Sequence, residues 1–246
     1  MDKYYILNKI LMNTNNDNRN ISQIFKSSSP TLTFSTALFD LDGVVFDTEP
    51  LYSVFWREEG KRYHPEIENF ENIIKGQTLV EIFNKYFSDV QDEHPHIIER
   101  LDAYERNMKY DYVKGFEAFL KKLKQDNIHT AIVTSSNRQK MESVYLQHPE
   151  VPELFDKVFT SEYFTESKPS PDCYLKAADY FGVSPSSCVV FEDSINGLRS
   201  GRASGAFVVG VATTNARELI APLSDMVIDD FLEENATEQK HNATFK

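Results

Sequence analysis

The chain has 246 residues, 41% of them hydrophobic, enough to bury a sizeable core and too many for a disordered protein. Lys and Arg number 26 against 38 Asp and Glu, a formal net charge of -12, which repels a nucleic-acid backbone at long range and argues against such a partner. An acidic chain that handles anionic small molecules needs a local island of positive charge, from a metal ion or from a few placed Lys and Arg.

Residues 1–33 read as a flexible leader: a short apolar run is broken by Asn8 and Lys9 without a small-residue cleavage site, and an Asn- and Ser-rich stretch without period follows. No stretch has the length and apolarity of a membrane span, so a membrane is not expected as a partner. Cys173 and Cys188 match neither a metal knuckle nor a disulfide framework; they read as small buried hydrophobes, and a reducing cytoplasm is the expected compartment.

From Thr36 onward, four apolar runs end in polar residues: TALFDLD, IHTAIVTSS, SSCVVFEDS and GAFVVGVAT. They read as buried strands of a parallel sheet, and the helical patterns FEAFLKKLKQ, PDCYLKAADYF and INGLRSGRASG alternate with them. Such alternation predicts an α/β fold, a Rossmann-like doubly wound parallel sheet. Ser170-Pro171 and Ser184-Pro185 each read as an N-cap hydroxyl followed by a first-turn proline.

Between Pro50 and Val113 the strand signal disappears. Leu79, Ile82, Phe83, Tyr86 and Phe87 share one face of an amphipathic helix, and Ile97, Leu101, Tyr104 and Met108 mark a second. The stretch is too long for a crossover connection, which predicts a small helical cap domain over 51–112, inserted into a core built from 34–50 and 113–234. Trp56 and the other aromatic residues of the insert read as its core, and a polar tail follows over 235–246.

Four groups of residues carry chemistry. Asp40 and Asp42 close the first strand two residues apart, so strand alternation aims both at one site, although Asp42-Gly43 is also a common turn signal. Two acids at the end of a buried strand repel unless a cation stands between them, which points to a metal. Glu192-Asp193 forms a second acidic pair at a strand end and adds hard oxygen ligands of the kind Mg²⁺ prefers. Thr134-Ser135-Ser136 brings hydroxyl and N–H groups suited to phosphate oxygens, and Lys168, before Pro169, brings a point charge.

Taken in this order, the motifs resemble the haloacid dehalogenase superfamily over roughly residues 36–230. The resemblance implies an aspartyl nucleophile at Asp40, a general acid/base at Asp42, and phosphate binding by Thr134, Ser135 and Lys168. It also implies Mg²⁺ held by Asp40, Asp193 and the Asp42 carbonyl, with Glu192 in the outer sphere. Asp42 favours phosphate chemistry over dehalogenation, because a halide leaves without a proton. Asp47-Thr48-Glu49-Pro50 is similar to sugar-phosphate phosphatases and β-phosphoglucomutase-like proteins. Tyr52 and Leu79 stand where the mutases carry a histidine and an arginine, so a small monophosphate ester, a sugar phosphate in particular, turned over by water is the expected substrate, with a phosphosugar mutase and a non-catalytic sugar-phosphate-binding protein as the alternatives. Glu49 and Lys75, the latter in Lys75-Gly76-Gln77-Thr78, are the candidate specificity residues, and a monomer is expected, since a cap that opens and closes works without partners.

Overall fold

The computed structural model describes residues 34–75 and 77–232; the expected leader 1–33, the tail 235–246 and Gly76 lie outside the described residues. Strand β1 (Thr36–Phe39) is followed by four helices, α1 (Glu49–Tyr63), α2 (Phe70–Ile73), α3 (Leu79–Tyr86) and α4 (His94–Asn107). Helix and strand then alternate through α5 (Phe116–Gln125), β2 (His129–Val133), α6 (Arg138–Gln147), α7 (Val151–Leu154), β3 (Lys157–Phe159) and α8 (Asp172–Tyr180). The described chain closes with β4 (Cys188–Glu192), α9 (Ile195–Ser204), β5 (Phe207–Val211), α10 (Arg217–Ile220) and β6 (Met226–Ile228).

The strands form one parallel sheet in the order β3-β2-β1-β4-β5-β6, with Leu38 of β1 in register with Ala131 of β2 and Val190 of β4. Strand order reverses at β1, and in open α/β sheets the crevice at such a point, outside the carboxyl ends of the strands, is where ligands bind. Both faces of the sheet are covered. Ala37, Phe39, Ile132 and Phe191 pack with Phe116, Phe119 and Leu123 of α5 and Met141 and Val144 of α6, while Leu38, Val133 and Val190 pack with Tyr174 and Ala177 of α8 and Leu198 of α9. Phe39 stacks on Phe191 at 4.7 Å and meets Phe116 edge-on at 5.3 Å, which seats the end of β1 firmly beneath the residues that follow it.

Helices α1–α4 enclose a separate hydrophobic cluster that includes Phe55, Trp56, Phe70, Ile82, Phe83, Phe87 and Ile97. Glu59, 3% exposed, accepts two hydrogen bonds from Arg100 at 2.9 and 2.6 Å and so joins α1 to α4 without an unpaired buried charge. Tyr52 and Tyr104 pack against both this cluster and the main core, and they form the joint between the insert and the sheet.

Two local readings are corrected. Helix α8 starts at Asp172, so Pro171 rather than Ser170 takes the N-cap position, and the Ser170 hydroxyl sits 3.4 Å from the Asp172 N–H. Ser184 does cap with its side chain, but what it caps is the single 3-10 turn Pro185–Ser187 leading into β4, not a full helix. Among the described residues, no helix is long and apolar enough to cross a membrane.

Candidate active site

A cavity of about 510 Å³ lies between the carboxyl ends of the strands and the insert. The core contributes Asp40, Asp42, Thr134, Ser135, Lys168 and Asp193 to its wall, the insert contributes Tyr52, Lys75 and Leu79, and Glu49 lines it from the junction between them. Glu192 is fully buried just behind this wall.

Asp40 and Asp42 reach one cavity by a different route from strand alternation. Strand β1 ends at Phe39, and the backbone turns at once: the N–H groups of Val45 and Phe46 donate to the Leu41 carbonyl at 2.9 and 3.0 Å, with Gly43 at φ +70°. Asp42-Gly43 is therefore a turn, and both acids line the same cavity. A side chain on Gly43 would lie 2.0 Å from Asp193 Oδ2, so glycine serves the turn and also lets the second acidic loop close against the first.

Lys168 is the positive island beside Asp40. Its Nζ donates to Asp40 Oδ1 at 2.7 Å, Glu192 Oε1 at 2.6 Å and the Val133 carbonyl at 3.2 Å, and Tyr174 adds a hydroxyl donor to Glu192 at 2.6 Å. Burial works against the Lys168 charge, but Asp40 and Glu192 outweigh it and hold its pKa well above the ordinary lysine value. Burial pushes the Asp40 carboxyl up to about 7; Lys168 opposes the shift, while Glu192 and Asp42 add to it. Asp193 is driven well above the usual range by burial and then by Asp40 and Glu192, against a hydrogen bond from Thr214.

This acid cluster has the donor set of a hard cation. Carboxylate oxygens of Asp40, Glu192 and Asp193 all lie within 4.8 Å of one another, and a divalent ion there would relieve the repulsion that raises Asp40 and Asp193. Glu192 already serves Lys168 and Tyr174 with Oε1 and faces Ser194 Oγ at 3.2 Å with Oε2. Asp193 is oriented from outside: Thr214 donates to its Oδ2, and Asn215 Nδ2 donates to its carbonyl at 3.0 Å. A side chain on Gly197 would meet the Glu192 carboxylate at 2.0 Å, so α9 can approach Glu192 this closely only through a glycine.

Asp42 stands apart from that cluster. Its Oδ1 accepts from Thr48 Oγ1 at 2.8 Å, and its Oδ2 accepts from Ser136 Oγ at 3.2 Å and from the ammonium of Lys140. The repulsion expected between Asp40 and Asp42 is thus met by two lysines of the chain, one for each acid. Thr134 Oγ1 accepts the Ser136 N–H at 3.0 Å and Ser135 lies exposed at the cavity wall. Glu49 and Lys75 face each other across the cavity mouth at 3.5 Å, and burial raises the Glu49 pKa with Lys75 opposing it.

Several residues of the site carried no motif. Lys140 looks like an ordinary surface lysine in sequence, yet it shares the buried side of α6 with Met141 and Val144, and that spacing was its available signal. Glu105, also without a motif, belongs to the same network, which takes in Thr48 of the Asp47–Pro50 motif and Tyr52 as well. Asn196 at the start of α9 donates to both oxygens of Glu81, at 3.2 and 3.0 Å, and ties α3 to the core from the other side of the cavity.

The pattern of haloacid dehalogenase-like hydrolases matches residues 37–211. The chain belongs to this family. A fructose-1-phosphate phosphatase of Escherichia coli is 30% identical over 72% of this chain and 96% of its own length. A bifunctional riboflavin kinase/FMN phosphatase of Arabidopsis thaliana is 27% identical over 81% of this chain, and the chain spans about half, 54%, of that protein's length. The crystal structure of a family IA hydrolase from Entamoeba histolytica, 30% identical, superposes with a TM-score of 0.69 over 80% of this chain and 94% of the other. That likeness agrees with the parallel α/β fold described above.

Proposed function

We propose that the protein is a Mg²⁺-dependent phosphatase of a small-molecule phosphate monoester, a sugar phosphate in particular, acting through an aspartyl-phosphate on Asp40. The observation that carries this reading is the Asp40 carboxylate, held by Lys168 at 2.7 Å on the wall of a cavity that Asp42 shares. Asp40 attacks phosphorus, the ester P–O bond breaks, and Asp42 gives its proton to the leaving oxygen. Asp42 then takes a proton from the water that displaces the Asp40 carboxylate, and inorganic phosphate leaves. Lys168 and the hydroxyl and N–H groups at Thr134 and Ser135 hold the phosphoryl oxygens. Mg²⁺ held by Asp40, Asp193 and the Asp42 carbonyl, with Glu192 in the outer sphere, would supply the charge that lets an anionic carboxylate approach an anionic ester.

Helices α1–α4, residues 51–112 with the hinge at Glu49, serve as the cap that covers the ester and excludes water. The relatives named for fructose-1-phosphate and FMN support a monoester carried on a polyhydroxy group. Leu79 supplies no charge for a second phosphate, and Lys75, Lys140 and Lys168, which line the cavity, are each paired with a carboxylate. A substrate with a single phosphate fits that charge balance better than a bisphosphate.

The test is phosphate release from a panel of sugar and alditol monophosphates, nucleotide monophosphates, bisphosphates and pyrophosphate, with Mg²⁺ or EDTA. Metal-dependent turnover that favours monophosphates is expected. A folded protein that releases phosphate from none of them would overturn the reading.

A further inference from the structure

A buried charge at the cavity wall remains outside this mechanism. Lys140 lies in the first turn of α6, where the helix dipole disfavours a cation, and that turn contains no acidic residue to offset it. Its side chain is 4% exposed, so the ammonium must find its partners elsewhere in the fold. It finds them on both sides of the cavity. From the core comes Asp42 Oδ2; from the insert come the Tyr52 hydroxyl and Glu105, whose Oε1 lies 3.8 Å from Nζ and accepts from the Tyr52 hydroxyl at 2.6 Å. Residues that break a local rule and are compensated only by distant groups concentrate at functional sites.

The consequence falls on Asp42. Lys140 and Ser136 together fill the two lone pairs of Oδ2, whereas Oδ1, among the described residues, accepts only from Thr48 and keeps one lone pair for the cavity. We propose that Lys140 is a positioning residue: it fixes the Asp42 carboxyl so that Oδ1 handles the proton, and through Tyr52 and Glu105 it couples that orientation to the seating of the insert. The inference rests on the phosphatase reading. In the step concerned, the bond from Asp40 to phosphorus forms and the ester P–O bond breaks. Its electron pair goes to the leaving oxygen, which takes the proton from Asp42 Oδ1.

The test compares kcat/KM for the best sugar phosphate of the panel, whose alkoxide needs a proton to leave, with that for p-nitrophenyl phosphate, whose phenolate does not. Wild type is measured first; if it turns over neither ester, it is the phosphatase reading that fails. Lys140→Met is expected to lower kcat/KM for the sugar phosphate by roughly 10²-fold, and for the nitrophenyl ester by less than about tenfold on the same argument. Tyr52→Phe, which removes the tie to the insert and leaves the contact between Lys140 and Asp42, is expected to move the ratio the same way by a smaller factor, and it decides the matter if Lys140→Met does not fold. Equal losses on both esters, or no loss on either, would overturn the proposal.

Discussion

Asp40→Asn is expected to lower phosphate release by roughly 10⁴-fold or more while the protein stays folded. The amide keeps the shape of the carboxyl, but its oxygen is uncharged and a far weaker nucleophile than a carboxylate, so the chemistry stops at its first step. Stability follows a different logic. The Asp40 carboxyl is pushed up to about 7 by burial and by Glu192 and Asp42 in spite of Lys168, so its ionised form is held at a cost. A carboxyl that titrates higher in the folded than in the unfolded chain takes up a proton on folding, and its contribution to stability therefore declines as pH rises from 3.8 to about 7. Removing the charge removes that decline. In EDTA, thermal unfolding of Asp40→Asn should depend less on pH across this window than wild type, and its midpoint near neutral pH should equal or exceed the wild-type value. A variant that kept its phosphatase activity would rule out Asp40 as nucleophile.

Lys168→Met is expected to have the largest effect on folding. Lys168 is buried and donates to Asp40 and Glu192, and the latter is fully inaccessible, so the substitution strands two carboxylates away from water. Breaking a buried pair on one side typically costs about 3–5 kcal/mol, because the remaining charge is uncompensated. Lys168 is what holds Asp40 down to about 7, so in the variant Asp40 keeps its proton to higher pH, and the deficit relative to wild type should shrink as pH falls toward about 7 and stay level just below it. Denaturant unfolding at two pH values checks both the size and the sign. Activity should be lost even where the variant is folded, since the proposed mechanism uses the same ammonium to hold the phosphoryl oxygens.

How much of this was readable from sequence depended on whether a feature has a local cause. Strands β1, β2, β4 and β5 are four or five residues long and fully or largely buried, so their apolar runs stand out. Strands β3 and β6 have three residues each and flank the sheet, and they exist because their neighbours offer a ladder to pair with. A three-residue run such as Lys157–Phe159 carries no period of its own. The four motif groups were legible because their residue types at strand ends have few other uses, and the fold does bring Asp40, Asp42, Thr134, Ser135, Lys168 and Asp193 to one cavity.

The second layer of the site was not legible. Lys140 finds Asp42 across 98 positions of sequence and Tyr52 across 88, and a helical lysine gives no sign of such partners. The same holds for Thr214, which orients Asp193 from the loop after β5. Glu192 was visible as half of an acidic pair, but its engagement with Lys168 and Tyr174 follows from the way α8 and the loop before it lie against β4.

The measurement that bears most directly on the central claim is an acid quench of the wild-type enzyme during turnover of its best ester with Mg²⁺, followed by peptide mass spectrometry. A phosphoryl group on the peptide that contains Asp40, present during turnover and gone once substrate is exhausted, is the predicted result. Steady turnover with no phosphoryl group on that peptide, or with the group on another residue, would contradict the account.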